Sequence, residues 1–228
     1  MTVRHVAAVG AALVLCSCGI EAHEISGANA SFVSATAGPA IVPFMYLGAK
    51  HMITGVDHVL FLLGVVFFLR RLRSVVLYVS LFTAGHSITL LAGVLGGWQV
   101  NAHLVDAVIG FSVMYKAFEN LGGFESTLHA RPDMRIAVFV FGLCHGLGLA
   151  TKLQALAPSK DGLLTNLVSF NVGVELGQIL VLACAVAVLD AWRRRGSFVR
   201  HAFATNTVLF ACGVLLAGHQ LTGYLVTS

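Results

Sequence analysis

The sequence predicts an all-α membrane protein with a cleaved signal peptide and six transmembrane helices. Hydrophobic residues make up 57% of the chain and charged residues 11%, and the mean hydropathy is +0.87. Soluble domains are about half apolar and about a quarter charged, so this chain is too apolar to be one of them. The apolar stretches lack the two-residue alternation of membrane strands, and helices are the other way to satisfy a backbone in lipid.

The first predicted element is a signal peptide, residues 1–22. It has a basic start, an apolar core and a small-residue ending, which is the tripartite form of a secretory signal. An imperfect lipobox with lipidation at Cys18 is an alternative interpretation of this segment. Residues 23–42, rich in Ser, Ala and Gly, are predicted to form a periplasmic lead-in, and residues 43–228 the transmembrane domain.

Six apolar stretches follow the lead-in. Each is close to or longer than the ~20 residues that a helix needs to cross ~30 Å of hydrocarbon. The stretches run over 50–69, 74–96, 102–122, 134–155, 162–191 and 198–225.

Arginine and lysine are divided unevenly between the loops on the two sides. One side carries Arg70, Arg71, Arg73, Arg131, Arg135, Arg193, Arg194, Arg195 and Arg200, whereas the other carries Lys50, Lys152 and Lys160. Because cytoplasmic loops are enriched in these residues, the bias predicts that the arginine side is cytoplasmic and that both mature termini are periplasmic. The net charge of +4 comes from these topological clusters, so we expect no nucleic-acid partner.

Two pairs of predicted helices resemble each other. "FTAGHSITL" (82–90) and "FGLCHGLGL" (141–149) share a phenylalanine, a histidine four residues later and a leucine, and "FSV" (111–113) matches "FNV" (170–172). The offset is 59 residues in both cases, from 82 to 141 and from 111 to 170. This shared offset predicts a parallel repeat, in which the second and third helices correspond to the fourth and fifth.

Polar side chains within the apolar stretches are the candidate functional residues. An ionised side chain at mid-bilayer costs about 2.5 to 3.5 kcal/mol on insertion scales, so it needs a partner or a wet cavity. At ~1.5 Å per residue, polar groups from four helices reach one level, ~12 to 20 Å below the periplasmic surface. Shared depth predicts one metal site, with candidate ligands His51, Asp57, His58, His86, His145 and Glu175. Ser87, Asp106, Ser112, Asn171 and Gln178 are the candidates to orient these ligands through hydrogen bonds.

This ligand set indicates the kind of metal. Several imidazoles with carboxylates suit a borderline transition metal such as nickel, cobalt, zinc or copper, whereas Mg²⁺ and Ca²⁺ prefer oxygen. The chain has no P-loop signature, so transport through such a site would be secondary or energised by a partner.

Four sequence blocks in order resemble one family. "HMITGVDH" is similar to the H-P-x-x-G-x-D-H signature of the HupE/UreJ permeases, with Met52 in place of the proline. "FTAGHSITL", "FGLCHGLGLA" and "FNVGVELGQ" are similar to further blocks of one branch, and together the four lie within 43–180. The resemblance implies nickel or cobalt transport across the bacterial inner membrane, with His51, Asp57 and His58 handling the metal. It also implies a metallochaperone or a metalloenzyme maturation partner.

Two other functions remain open on these residues. Three histidines and an acid could bind zinc and make the protein an intramembrane hydrolase, although neither HExxH nor G-x-S-x-G is present. A membrane accessory protein that holds a metalloenzyme partner would instead form complexes without metal.

Overall fold

The structure is a computed structural model that describes residues 28–130, 132–156 and 158–227. Within this part of the chain every regular element is an α-helix. The helices are α1 Ala28–Ala35, α2 Ile41–Thr54, α3 Val56–Val66, α4 Leu72–Gly96, α5 Ala102–Asn120, α6 Gly123–Leu128, α7 Met134–Ala155, α8 Leu163–Arg193 and α9 Ser197–Thr227. The predicted signal peptide, residues 1–22, lies outside the described residues.

Four of these helices, α4, α7, α8 and α9, are long and apolar enough to cross a membrane. The pair α2 and α3 meets the same criterion when taken together. α5 does not, because its 19 residues include Asp106, Lys116 and Glu119. The chain is therefore a multi-pass helical membrane protein, as predicted, with four or five candidate spans in its described part. The expected number of six stays a prediction.

The first predicted span is a broken helix that bends by 65°. α2 ends where Gly55 donates its N–H to His51 O at 2.8 Å, and α3 begins at the next residue with Asp57 in its first turn. A Cβ at position 55 would lie 2.9 Å from His51 O and 3.0 Å from the His58 ring, so the break requires glycine. The Asp57 carboxylate, in the first turn of α3, interacts favourably with the N–H groups at the start of that helix.

α4 and α7 pack side by side and run in the same direction. A Cβ on Gly142 would lie 2.4 Å from Phe82 O, and one on Gly146 would lie 2.1 Å from His86 O. Such close backbone approach is the small-residue packing of membrane helices. The segments 82–90 and 141–149 therefore face each other in parallel, although their origin as a repeat stays a prediction.

Two further helix pairs complete the bundle. α2 runs parallel to α8, and a Cβ on Gly48 or Gly173 would lie about 2 Å from a backbone oxygen of the partner helix. α5 runs antiparallel to α9, since Gly110 abuts Ala217 while Gly213 abuts Met114. Glycines thus set the separation within all three pairs.

We call one end of the bundle the arginine-rich end. α3 and α8 finish there, and α4 and α7 start there. There the Arg193 guanidinium donates to Val66 O at 2.8 Å and to Phe67 O at 2.6 Å, capping the end of α3. The Asn120 amide donates to Gly64 O and to Asn206 Oδ1. The arginines predicted to be cytoplasmic lie at or beside these helix ends, as far as the structure describes them. They are Arg70, Arg71, Arg73, Arg135, Arg193, Arg194, Arg195 and Arg200.

Candidate metal centre

The break between α2 and α3 places Asp57 and His58 inside the bundle. Asp57 Oδ1 accepts a hydrogen bond from the His58 backbone N–H at 2.6 Å and lies 2.9 Å from His58 Nδ1. Both side chains are buried. With the carboxylate ionised, Nδ1 carries the proton and Nε2 is the basic atom of the ring, which is how carboxylates orient metal-binding histidines.

His145 is oriented in the same way by its own helix. Its Nδ1 lies 2.7 Å from Phe141 O, one turn earlier in α7, and because a carbonyl only accepts, Nδ1 is the donor. The basic atom is again Nε2. Asp57, His58 and His145 each offer one ligand atom, and these three atoms lie within 4.8 Å of one another.

His86 and His51 extend this group, and together with Asp57, His58 and His145 they form what we call the imidazole cluster. The ring centroid of His58 lies 4.7 Å from that of His145, 5.1 Å from that of His51 and 6.1 Å from that of His86. His86 is 1% exposed, and neither of its ring nitrogens has a hydrogen-bond partner among the described residues. Since buried polar atoms are nearly always paired, His86 indicates a ligand that the cluster would hold.

Phenylalanines enclose the cluster on the side of the arginine-rich end. The ring of His145 lies 5.0 Å from that of Phe82 and 5.6 Å from that of Phe61, and both phenylalanines are fully buried. Phe141 packs on Phe61 at 5.7 Å. A water-excluding wall lowers the local dielectric, which strengthens the attraction between Asp57 and a bound cation.

Glu175, predicted from its depth to be a ligand, lies outside the cluster. Its side chain is exposed, and it lines a groove between α4 and α8. Depth along a helix does not determine rotation about its axis when most faces are apolar. α8 turns Phe170 and Val174 toward the buried interior, and this leaves Glu175 at the edge.

The predicted supporting residues divide into two groups. On the α4 and α8 side, Ser87 Oγ donates to Asn171 Oδ1 at 3.4 Å, and Thr83 Oγ1 donates to Gln178 Oε1 at 2.7 Å. Thr83 and Ser87 lie on the same helix as His86 and their partners lie on α8, and no recorded hydrogen bond within the described residues joins these four side chains to the cluster. Thr83 was not predicted, and its position three residues before His86 on the same helix face was the available signal.

Asp106 and Ser112 have partners elsewhere. Asp106 Oδ2 accepts from Lys152 Nζ at 2.7 Å, an ion pair that joins α5 to α7, and Ser112 Oγ donates to Ile109 O in its own helix at 2.6 Å. No recorded contact within the described residues links either one to the cluster. Lys116 and Glu119, three residues apart in α5, form an ion pair of their own.

The arrangement is suited to a borderline transition-metal cation. It combines imidazoles, two of which have their basic nitrogen set by a hydrogen bond, with one carboxylate at a helix N-terminus. Oxygen ligands are too few in the cluster for Mg²⁺ or Ca²⁺. Gly55 was a functional signal in the sequence that periodicity did not resolve. The helix break at Gly55 brings the rings of His51 and His58 into contact.

Comparison with known proteins gives one match. The family model described as HupE / UreJ protein matches residues 28–228. Neither a curated protein nor a solved structure matches the chain.

Proposed function

The chain belongs to the HupE/UreJ family, and from this premise we propose that it is a secondary permease for a divalent transition-metal cation, nickel first and cobalt second. The observation that carries the proposal is the enclosed group of Asp57, His58 and His145 at the break between α2 and α3. Broken helices that place their ends at mid-membrane are a recurring way to build ion sites in secondary transporters.

We place the arginine-rich end in the cytoplasm of a bacterium and the protein in its inner membrane. Gly38, which follows α1, bonds to Asp161 ahead of α8, and Gly223 near the end of α9 lies against His103. Both ends of the described chain are therefore far from the arginines, which supports periplasmic termini. A cation from the periplasm would meet His51 first, because His51 is the least buried of the four clustered histidines.

The cluster would act by replacing water around the cation. Asp57 supplies negative charge and the imidazole nitrogens supply ligand atoms, so the cost of dehydration is offset inside an enclosed site. Protons compete with metal for imidazole nitrogens, so binding would weaken as pH falls.

Metal uptake by cells expressing the wild type and His58→Ala tests the proposal. We expect the wild type to accumulate nickel or cobalt and His58→Ala to lose about tenfold or more of that uptake, in line with losses on perturbing metal sites. His201→Ala is the matched control, because His201 bonds to Ser197 O at the other end of the bundle. Equal uptake by the wild type and His58→Ala would refute the proposed permease.

A zinc hydrolase is the second candidate function, since two histidines and a carboxylate are also the ligands of hydrolytic zinc sites. Elemental analysis of the purified protein separates the two functions. Zinc that remains bound after treatment with a chelator, together with cleavage of a lipid or peptide by the protein, would favour the hydrolase. Exchangeable nickel or cobalt would favour the permease. A maturation partner or metallochaperone that binds equally well to Asp57→Asn and wild type would favour an accessory role.

A further inference from the structure

Polar side chains from α4 and α8 face each other along a line that starts beside the imidazole cluster. We call this line the α4–α8 seam, and it consists of Ser80, Thr83, Ser87, Asn171, Glu175 and Gln178. The α4 members recur at spacings of three and four residues, and so do the α8 members, so each set occupies one face of its helix. The seam begins at the level of His86, the neighbour of Ser87, and continues toward the arginine-rich end.

The seam contains two buried amide nitrogens for which the described residues offer no hydrogen-bond partner. Gln178 is 0% exposed and accepts from Thr83 through Oε1, but its Nε2 has no hydrogen-bond partner among the described residues. Asn171 Nδ2 is also buried without a partner there. Unsatisfied buried donors are uncommon, so these two nitrogens mark a part of the bundle whose polar groups the described residues do not fully pair.

Glu175 lies one helical turn from each of these amides along α8, and it lines a groove of about 450 Å³ at the end away from the arginines. The structure records no ion pair or hydrogen bond for its carboxylate within the described residues. Ser80 and Thr83 line the same end of the groove, whereas Leu72, Val75 and Val186 line the part nearer the arginine-rich end. An unpaired carboxylate at this depth requires water or a cation.

We propose that the α4–α8 seam is a second, oxygen-lined station for the transported cation, with Glu175 as its carboxylate, where a hydrated divalent cation rests after leaving the imidazole cluster. Water molecules bound to a cation direct their hydrogens outward, so the hydration shell donates hydrogen bonds to Glu175 and to the hydroxyl oxygens of Ser80 and Thr83, which line the same groove. This inference rests on the proposed permease function.

Ligand chemistry explains why a permease needs such a station. The imidazole cluster is enclosed and rich in nitrogen, so it binds a transition metal strongly and releases it slowly. Carboxylate, hydroxyl and amide groups bind a hydrated cation weakly, and conduction requires a site that the ion can leave.

The first test separates binding from transport. Glu175→Gln is expected to lower nickel or cobalt uptake about tenfold while leaving the Co²⁺ affinity of the purified protein within about twofold of wild type, since it removes charge outside the cluster. Glu175→Asp should restore part of the uptake. Asp190→Asn is the matched control, because Asp190 is an acid on the same helix that pairs with Arg193 at the arginine-rich end. Unchanged uptake in Glu175→Gln overturns the proposal, and so does a parallel loss of Co²⁺ affinity, which would make Glu175 a ligand of the cluster.

The second test does not depend on transport. In membranes carrying the full chain, a small cationic thiol reagent is applied to Ser80→Cys, and modification is read at each cysteine by peptide mass analysis. Native Cys184, exposed on α8 within an apolar groove formed with α3 and α9, is the internal control.

We expect Ser80→Cys to react about tenfold faster than Cys184, because a cysteine thiol forms the reactive thiolate more readily in a hydrated seam than against lipid. We also expect Co²⁺ to slow the reaction of Ser80→Cys. Equal rates at the two cysteines would show that the seam is no more hydrated than a lipid-facing surface and would overturn the proposal. If the wild type transports no metal, the permease function fails, while the labelling contrast and its response to Co²⁺ still decide whether the seam binds cations.

Discussion

The imidazole cluster and the α4–α8 seam lie at neighbouring levels of one bundle, yet they hold their polar groups in opposite ways. In the cluster, Asp57 and Phe141 O fix two imidazoles by hydrogen bonds, and phenylalanines close one side. In the seam, Gln178 and Asn171 each leave a donor unpaired, and Glu175 faces a groove. The cluster is thus a group of side chains held in place by hydrogen bonds, which we propose as the binding site, whereas the seam has unpaired polar groups, which we propose as the passage.

Helix packing explains why the two regions differ. Beside the cluster, α4 and α7 approach through Gly142 and Gly146 until their backbones touch, so His86 and His145 have little freedom. Along the seam, by contrast, α4 and α8 are separated by a groove. Close packing therefore holds the imidazoles of α4 and α7 near each other in one region, and the separation leaves Glu175 exposed in the other.

Among the substitutions that test this difference between cluster and seam, Asp57→Asn is expected to have the largest effect, on the affinity for Co²⁺. The substitution keeps the shape of the side chain but removes its charge and its control of the His58 tautomer, so Co²⁺ affinity should fall about 10- to 100-fold. Equilibrium titration of the purified protein with Co²⁺ measures this. Asp106→Asn is the control, because it breaks the partly buried pair with Lys152 and should lower stability without lowering affinity.

The next effect is expected from Gly146→Ala. The added Cβ would lie 2.1 Å from His86 O, so α4 and α7 must move apart, and the stability in detergent should fall by about 1 to 3 kcal/mol. Thermal unfolding checks this, with Gly218→Ala as the control because a Cβ at position 218 meets no atom within 4 Å. A Gly146→Ala protein as stable as Gly218→Ala would show that the cluster does not depend on this close approach.

The smallest effect on stability is expected from Gln178→Leu. The leucine removes an amide whose donor is unpaired, so the free energy of unfolding should stay within about 1 kcal/mol of wild type, while metal uptake falls. Unfolding and uptake measured on the same variant give the two values. A large loss of stability with normal uptake would mean that Gln178 has a structural role, through its hydrogen bond with Thr83, and is not part of a passage.

Some of this architecture could be predicted from the sequence, and some could not. The apolar stretches and the family blocks predicted a helical membrane protein of the HupE/UreJ type, and both are confirmed. Depth placed His58, His86 and His145 at one level, and the structure brings them together. Hydropathy is insensitive to a break within an apolar run, so the bend at Gly55 was not foreseen.

Rotation of a helix about its axis explains the remaining differences. Glu175 has the depth of the cluster but points into the groove, and Asp106 is taken by Lys152 from α7. Neither outcome is encoded by spacing along one helix, because it depends on which partner helix each face meets. Lys152 in particular looked like a loop charge in the sequence, whereas it pairs with a partly buried acid.

If the proposed function is right, the imidazole cluster holds the transported cation through imidazole nitrogens. X-ray absorption at the metal edge of nickel-loaded or cobalt-loaded protein reports those ligands directly. We predict a first shell with at least two imidazoles, one of which is lost in His58→Ala and none in His201→Ala. A shell of oxygen atoms alone, or a spectrum that His58→Ala leaves unchanged, would contradict the claim.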